Sequence, residues 1–285
     1  MNKNQLQEET RVRVRMVPVP VLAALLLVIA AVISIVGLHT TVDELTLDLI
    51  VANKRFPVDL IGSVINAAGL IALAVVLSFL WRATKARNPG FSVAMRSIAI
   101  AGAVLAAASG IVYQTMISIA ANNFTSTGQQ TYREAHDLTS STTLLVLPLV
   151  GQAAELLLAV AIVLISLNAM RVGLLPKVMG YLGIFVGILF LFPIGSPVPV
   201  IQAGWLCALA YLFSWRWPSG LPPAWTKGES VPWPSSQALR QQQPARPARG
   251  GRGKPAPTPA PEVAVTPAAG STRATTSKRK RKRRR

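Results

Sequence analysis

Six long apolar runs, separated by shorter polar stretches, organise the first 215 residues of the chain. An apolar run of about 20 residues is long enough for a helix to cross the hydrocarbon core of a bilayer. The fifth and sixth runs lie at or below the short end of that range. The pattern predicts an all-α fold, a six-span transmembrane helical bundle, with spans at residues 18–37, 60–81, 98–120, 144–167, 175–192 and 200–215.

The first run has a rival interpretation as a secretory signal peptide. Residues 1–17 are mostly polar and basic, as such a signal requires, but the apolar stretch that follows exceeds the usual 7 to 15 residues. Polar residues, and no small-residue cleavage motif, come next. We therefore interpret residues 18–37 as an uncleaved first helix.

Two polar connections carry further patterns. Residues 41–56 alternate apolar and polar positions at steps of three and four, which predicts a short amphipathic helix with a capping box at Thr41 and Glu44. Residues 122–142 are too hydrophilic to enter the bilayer and are interpreted as an exposed connection.

Small residues recur at helical spacing in two spans. Gly102, Ala106 and Gly110 follow one another every four residues in the third span, and the fifth span carries glycines at 180, 183 and 187. Small residues let membrane helices approach each other closely. These faces are predicted to be helix contacts.

Charge separates the chain into segments. Although 51% of the residues are hydrophobic, the formal net charge is +18, and residues 216–285 hold sixteen of the 29 lysines and arginines but only two acids. We divide the chain into an N-terminus at 1–17, a transmembrane domain at 18–215 and a Pro/Ala/Arg-rich tail at 216–285. The tail is predicted to be disordered beyond its tryptophan-containing segment, which ends near Ser236.

The basic residues also predict an orientation, because short loops rich in Lys and Arg stay in the cytoplasm. Six spans place 26 of the 29 basic residues on one side and leave only Lys54, Arg55 and Arg133 on the other. Both termini are therefore predicted to be cytoplasmic.

Glu155 is the ionisable side chain predicted to lie deepest within a span. A carboxylate there costs about 2.5 to 3.5 kcal/mol on insertion scales unless a partner or a proton neutralises it. Gln152 shares its helix face, and Asn66, Gln114 and Gln202 are polar candidates in other spans. Glu155 either binds a proton or cation, or is a protonated packing contact hydrogen-bonded to one of those amides.

No catalytic fingerprint, cofactor motif or metal-ligand spacing is present, so enzymatic activity has no positive support. His39 and His136 both fall on the predicted outer side, but two loop histidines do not define a metal site. Cys207 is the single cysteine, which excludes an intramolecular disulfide. We predict neither a cofactor nor a metal.

A run of eight basic residues ends the tail. Such a run can bind anionic membrane lipid, a cytoplasmic protein or nucleic acid, or remain solvated. Lipid is favoured because the tail is tethered beside a negatively charged leaflet. The residues are Lys278, Arg279, Lys280, Arg281, Lys282, Arg283, Arg284 and Arg285.

Two stretches carry a family resemblance. Residues 216–225, Arg-Trp-Pro-Ser-Gly-Leu-Pro-Pro-Ala-Trp, and residues 231–235, Val-Pro-Trp-Pro-Ser, resemble a segment after the last span of actinobacterial membrane proteins of unknown function. Residues 168–183 are similar to that group as well. The resemblance implies a multi-pass protein of the bacterial plasma membrane and supplies no activity.

These observations favour an integral membrane scaffold or tether whose basic cytoplasmic tail engages anionic lipid or a polyanionic partner. The alternative is a small transporter or ion-coupled carrier centred on Glu155.

Overall fold

The computed structural model describes residues 3–36, 45–191, 199–217 and 220–231. Contacts divide the chain into two units, Met1–Ser235 and Ser236–Arg285, and every described residue belongs to the first. Within the described ranges the regular structure is entirely helical. The helices are α1 (Lys3–Arg15), α2 (Pro18–Ile35), α3 (Leu45–Arg55), α4 (Val58–Arg87), α5 (Ala94–Ser126), α6 (Tyr132–Thr139), α7 (Thr142–Arg171), α8 (Lys177–Leu191), α9 (Val200–Phe213) and α10 (Pro223–Lys227).

Four helical stretches are long and apolar enough to cross a membrane: Asn4–Ile35, which joins α1 to α2, and the helices α4, α5 and α7. The last three contain the second, third and fourth predicted spans, and the first covers the first predicted span except for its last two residues, since that helix ends at Ile35. The fifth and sixth predicted spans form α8 and α9, of 15 and 14 residues. At 1.5 Å per residue each is about 22 Å long, less than the hydrocarbon thickness of about 30 Å.

The packing order follows from which helices touch. Helix α2 packs against α4 and α9, α4 against α5, α5 against α7, and α7 against α8. The centre of the bundle holds fully buried side chains such as Leu77, Leu80, Leu158, Ile162 and Trp205. The α1 end of the bundle is the end where α1 meets the last turn of α4. The α3 end is the opposite one, where α3 packs against α5 and α6.

The interpretation of residues 122–142 as a connection was wrong in part. Helix α5 continues to Ser126, and α6 forms within the stretch because the Thr131 side chain accepts a hydrogen bond from the Glu134 backbone N–H at its first turn. Ala135 of α6 is fully buried in a small apolar cluster with Leu49 and Phe124. A short amphipathic helix therefore covers the end of α5.

The amphipathic helix predicted at 41–56 is present as α3 from Leu45 onward. The capping-box residues Thr41 and Glu44, as well as His39, lie outside the described residues. Leu49 is the buried apolar position of α3, and Asp48 beside it is exposed.

Residues 220–231 return across the α1 end of the bundle. The indole Nε1 of Trp225 donates to the Leu174 carbonyl at 2.8 Å, and the ring stacks on Phe79 at a centroid distance of 6.1 Å. Arg87 donates to the Ala224 carbonyl and to both carboxylate oxygens of Glu9, at 2.9, 2.8 and 3.0 Å. Arg87 therefore links α4 to both α1 and α10, and Trp225 links α10 to the turn after α7.

Arg13 completes this cluster. Its side chain is 1% exposed, and its guanidinium lies 4.3 Å from the Trp215 ring centroid and 5.1 Å from that of Trp225. Its Nε and Nη2 atoms have no hydrogen-bond partner among the described residues. The two indole faces therefore lie against its guanidinium, and the nearby carboxylate of Glu9 adds a favourable charge interaction.

Glycines set the closest helix contacts, as predicted for α8. A Cβ at Gly187 would lie 3.0 Å from the Ala159 carbonyl oxygen, and one at Gly183 would lie within 3.0 Å of Ser166 and Trp205. In α5 the prediction holds at Gly102, where a Cβ would lie 2.9 Å from backbone atoms of Ala154 and Leu158. It was wrong at Gly110, which has no atom within 4 Å of that position.

This difference gives a matched pair of substitutions. We expect Gly102→Ala to destabilise the protein by about 1 to 3 kcal/mol, because two backbone segments must move apart. Gly110→Ala meets open space and should gain up to about 1 kcal/mol from helix propensity. Thermal unfolding of both variants in detergent tests this, and equal melting temperatures would contradict the α5–α7 contact.

Candidate functional site

A cavity of about 620 Å³ opens within the bundle, and we call it the polar cavity. Its wall is formed by residues of seven helices, α2, α3, α4, α5, α7, α8 and α9, and by Pro199 before α9. The polar residues in that wall are Ser34, Asp48, Arg55, Asp59, Ser63, Asn66, Gln114, Glu155 and Gln202. A volume of this size is within the range of small-molecule sites.

Four of the five intramembrane polar candidates lie on this cavity. Asn66 of α4, Gln114 of α5, Glu155 of α7 and Gln202 of α9 come from different helices and share one wall. Gln152 does not line the cavity, although it is exposed. The structure therefore gathers residues that are up to 136 positions apart in sequence.

Glu155 lies close to the middle of α7, thirteen residues after the helix begins at Thr142. At 1.5 Å per residue it is about 20 Å along a helix about 45 Å long. Its carboxylate has no hydrogen bond or ion pair with any described residue. The amide side chains of Asn66, Gln114 and Gln202 line the same cavity. Within the described part of the chain, none of them forms a hydrogen bond with the Glu155 carboxylate.

The α3 end of the cavity carries a paired charge. The Arg55 Nε donates to Asp59 Oδ1 at 2.8 Å, and Nη2 donates to the Ile33 carbonyl at 2.8 Å. These bonds connect the end of α3 to α2 and α4. Arg55 is thereby paired with Asp59 and held in the cavity wall.

The remaining charge in the wall is negative. Asp48 and Glu155 are carboxylates, and Arg55, already paired with Asp59, is the only basic side chain among the described residues of the lining. An apolar surround strengthens the attraction between such carboxylates and a cation. The cavity is therefore suited to a small cation or a polar molecule with a positive group.

Sequence reasoning missed Asp48, Arg55 and Asp59 as site residues. The i, i+4 spacing of Arg55 and Asp59 was a readable signal for an ion pair. What the sequence did not show is that α3 forms part of the wall of the same cavity that Glu155 lines.

A second cavity of about 550 Å³ lies between α3, α5, α6 and α7 and includes Asp48, Tyr113 and His136. The His136 ring stacks on Tyr132 at a centroid distance of 6.4 Å. Across the described residues, no three His, Cys, Asp or Glu side chains come together as a metal site would require. The basic octet at 278–285 lies outside the described residues.

The fold and site define a helical protein with four membrane-length helices around a polar cavity. No protein-family model, curated protein or solved structure matches the chain. The resemblance to actinobacterial membrane proteins therefore stays a prediction.

Water access to the polar cavity can be measured with cysteine chemistry. In a Cys207→Ser background, we expect Ser63→Cys, in the cavity wall, to react with a water-soluble maleimide, because the reactive thiolate forms in water. Ser109→Cys is the matched control, since Ser109 is only 6% exposed. If Ser63→Cys in reconstituted protein reacts as slowly as the buried Ser109→Cys, the cavity is not hydrated.

Proposed function

We propose that this chain is a small membrane carrier that binds a cation, or a solute with a cationic group, in the polar cavity. The observation that supports this is the convergence of Glu155 and three amide side chains from four helices on one space of about 620 Å³. The function is the carrier alternative of the sequence analysis, now with a binding site of defined composition.

The chemistry rests on Glu155. In a low-dielectric surround an isolated carboxylate is costly, so it either holds a proton or pairs with a cation. Entry of a cation displaces the proton, and release of the cation lets the proton return. The amide oxygens of Asn66, Gln114 and Gln202 can replace part of the water lost by the cation, and Asp48 raises the local cation concentration near α3.

The same proposal includes a topology. We infer six spans in the bacterial plasma membrane, with α8 and α9 as two short spans and both termini in the cytoplasm. The basic residues clustered at the α1 end support this orientation, since Arg13, Arg82, Arg87 and Arg171 all belong to predicted cytoplasmic segments. The polar cavity then faces the exterior through α3.

Two serine positions test the orientation. In a Cys207→Ser background, Ser140→Cys between α6 and α7 should react with an impermeant maleimide in intact cells. Ser92→Cys between α4 and α5 should react only after permeabilisation. Both serines are exposed, so access to the thiols is comparable. Labelling of Ser92→Cys in intact cells, with protection of Ser140→Cys, would reverse the topology.

The carrier function is tested by Glu155→Gln, which keeps the shape and removes the charge. In liposomes containing a pH-sensitive dye, we expect an imposed gradient of sodium, potassium or methylammonium to move protons through the wild-type protein. Glu155→Gln should lose this response. Gln152→Ala, one helical turn away and outside the cavity wall, should retain it. A full response in Glu155→Gln would exclude Glu155 as the exchange site.

The tether function is a second candidate, favoured by the concentration of sixteen basic residues after position 215. The tail would engage anionic lipid, or a polyanionic cytoplasmic protein or nucleic acid, from the cytoplasmic side. A growth assay in cells that compares Glu155→Gln with a deletion of residues 237–285 separates the two functions. A tether loses its cellular function with the deletion and keeps it in Glu155→Gln, whereas a carrier shows the opposite pattern.

A further inference from the structure

A second kind of site lies on the surface of the bundle, where α1, α4 and α5 meet. A groove of about 360 Å³ runs there, and we call it the α4–α5 groove. Its walls are apolar, with Ile71 and Val75 from α4 and Ile100 and Val104 from α5, each 38 to 48% exposed. Buried Ala74 and Phe79 line it as well. It is separate from the polar cavity, with which it shares no residue.

The groove is apolar along its length and cationic at one end. On α4, the lining positions 71, 74, 75, 78, 79 and 82 recur at helical spacing, and the last of them is Arg82. On α5, positions 96, 100 and 104 do the same, and the first of them is Arg96. Arg82 near the end of α4 and Arg96 near the start of α5 therefore both mark the α1 end of the groove.

The length of the groove matches one leaflet of a bilayer. Eleven residues separate Ile71 from Arg82, which is about 16 Å along a helix. Half of the hydrocarbon core is about 15 Å. An acyl chain lying along the groove would therefore end near the bilayer midplane, with its headgroup at the level of the two arginines.

Both arginines are exposed, and neither forms an ion pair with a described residue. The Arg96 guanidinium lies 5.7 Å from the centroid of the Trp81 ring. That ring is fixed by its Nε1, which donates to the Ser92 carbonyl at 2.9 Å. Tryptophan and arginine together are typical of the headgroup level of a membrane protein.

The acidic side chains facing Arg82 come from α1. Glu8 and Glu9 line a smaller neighbouring cavity of about 180 Å³ together with Arg82. Both oxygens of Glu9 already accept hydrogen bonds from Arg87. Among the described residues of this cavity, Glu8 is therefore the one carboxylate that Arg87 does not bind. One carboxylate can neutralise only one arginine, so at least one of Arg82 and Arg96 has no counterion there.

We infer that the α4–α5 groove binds an anionic phospholipid of the surrounding bilayer, with one acyl chain along Ile71, Val75, Ile100 and Val104. Its phosphate lies between Arg82 and Arg96. Charge complementarity selects this occupant: a second copy of the chain or another apolar helix would fill the groove and leave at least one guanidinium group at its end without a negative partner.

The test uses the full-length protein in liposomes with a photoreactive phosphatidylglycerol that carries a diazirine midway along one acyl chain. We expect crosslinks within residues 71–78 and 100–104. The reactive group lies inside the bilayer, so the basic residues at 278–285 do not contribute to the signal. A phosphatidylcholine with the same diazirine should label these residues much more weakly.

Three variants make the result specific. Arg82→Gln with Arg96→Gln should lower labelling by about 30-fold, since each arginine near the surface contributes about a fivefold gain in affinity. Arg82→Lys with Arg96→Lys should retain most of the labelling. Arg171→Gln is the matched control, since Arg171 is an exposed arginine at the end of α7 and outside the groove. Thermal unfolding of each variant checks that the bundle is intact.

The inference is overturned if the crosslinks spread evenly over all lipid-facing helices, or if phosphatidylcholine labels the groove as well as phosphatidylglycerol does. Unchanged labelling in the double glutamine variant would overturn it too. Absence of lipid crosslinks in the groove, together with a disulfide between two chains that carry Val104→Cys in a Cys207→Ser background, would identify a second copy as the occupant.

Discussion

The cost of placing a charge in a low-dielectric surround is the constraint on which the site depends. Glu155 lies near the centre of α7, where lipid offers it no partner. The bundle accommodates it by opening onto a polar cavity into which α4, α5 and α9 each contribute an amide. At the same level α5 and α7 stay in close contact, where Gly102 meets the backbone of Ala154 and Leu158. Glu155 therefore lies in a tightly packed turn of α7 and lines the cavity beside it.

The α1 end of the bundle is stabilised by a different interaction. Trp225 fills the space between Phe79, Phe213 and the guanidinium groups of Arg13 and Arg87. The indole rings of Trp215 and Trp225 and the carboxylate of Glu9 give the two buried arginines favourable contacts. Purely apolar neighbours would leave these arginines buried and unpaired. The return of residues 220–231 therefore fixes α1 and α4 at one end, which also positions Arg82 and the α4–α5 groove beside α1.

The helical content of this chain was largely readable from its sequence, because length and uniform apolarity are local properties. The stretch around α6 was misread, since polar residues outnumber apolar ones there and only Ala135 of that helix is fully buried. Gly110 was misassigned for a related reason: spacing gives the face of a helix, but not where a neighbouring helix diverges. Gln152 was predicted to share a helix face with Glu155, but of the two residues only Glu155 lines the cavity.

Residue type and local spacing were enough to predict the helical class, the approximate positions of the four membrane-length helices, the uneven distribution of positive charge and the choice of Glu155 as the leading candidate. Tertiary packing was needed to bring Asn66, Gln114 and Gln202 into one space with Glu155, to add Arg55 and Asp59 to its wall, and to place Trp225 between two buried arginines. Those arrangements depend on how the helices cross, and crossing is set by side-chain packing between segments far apart in the chain.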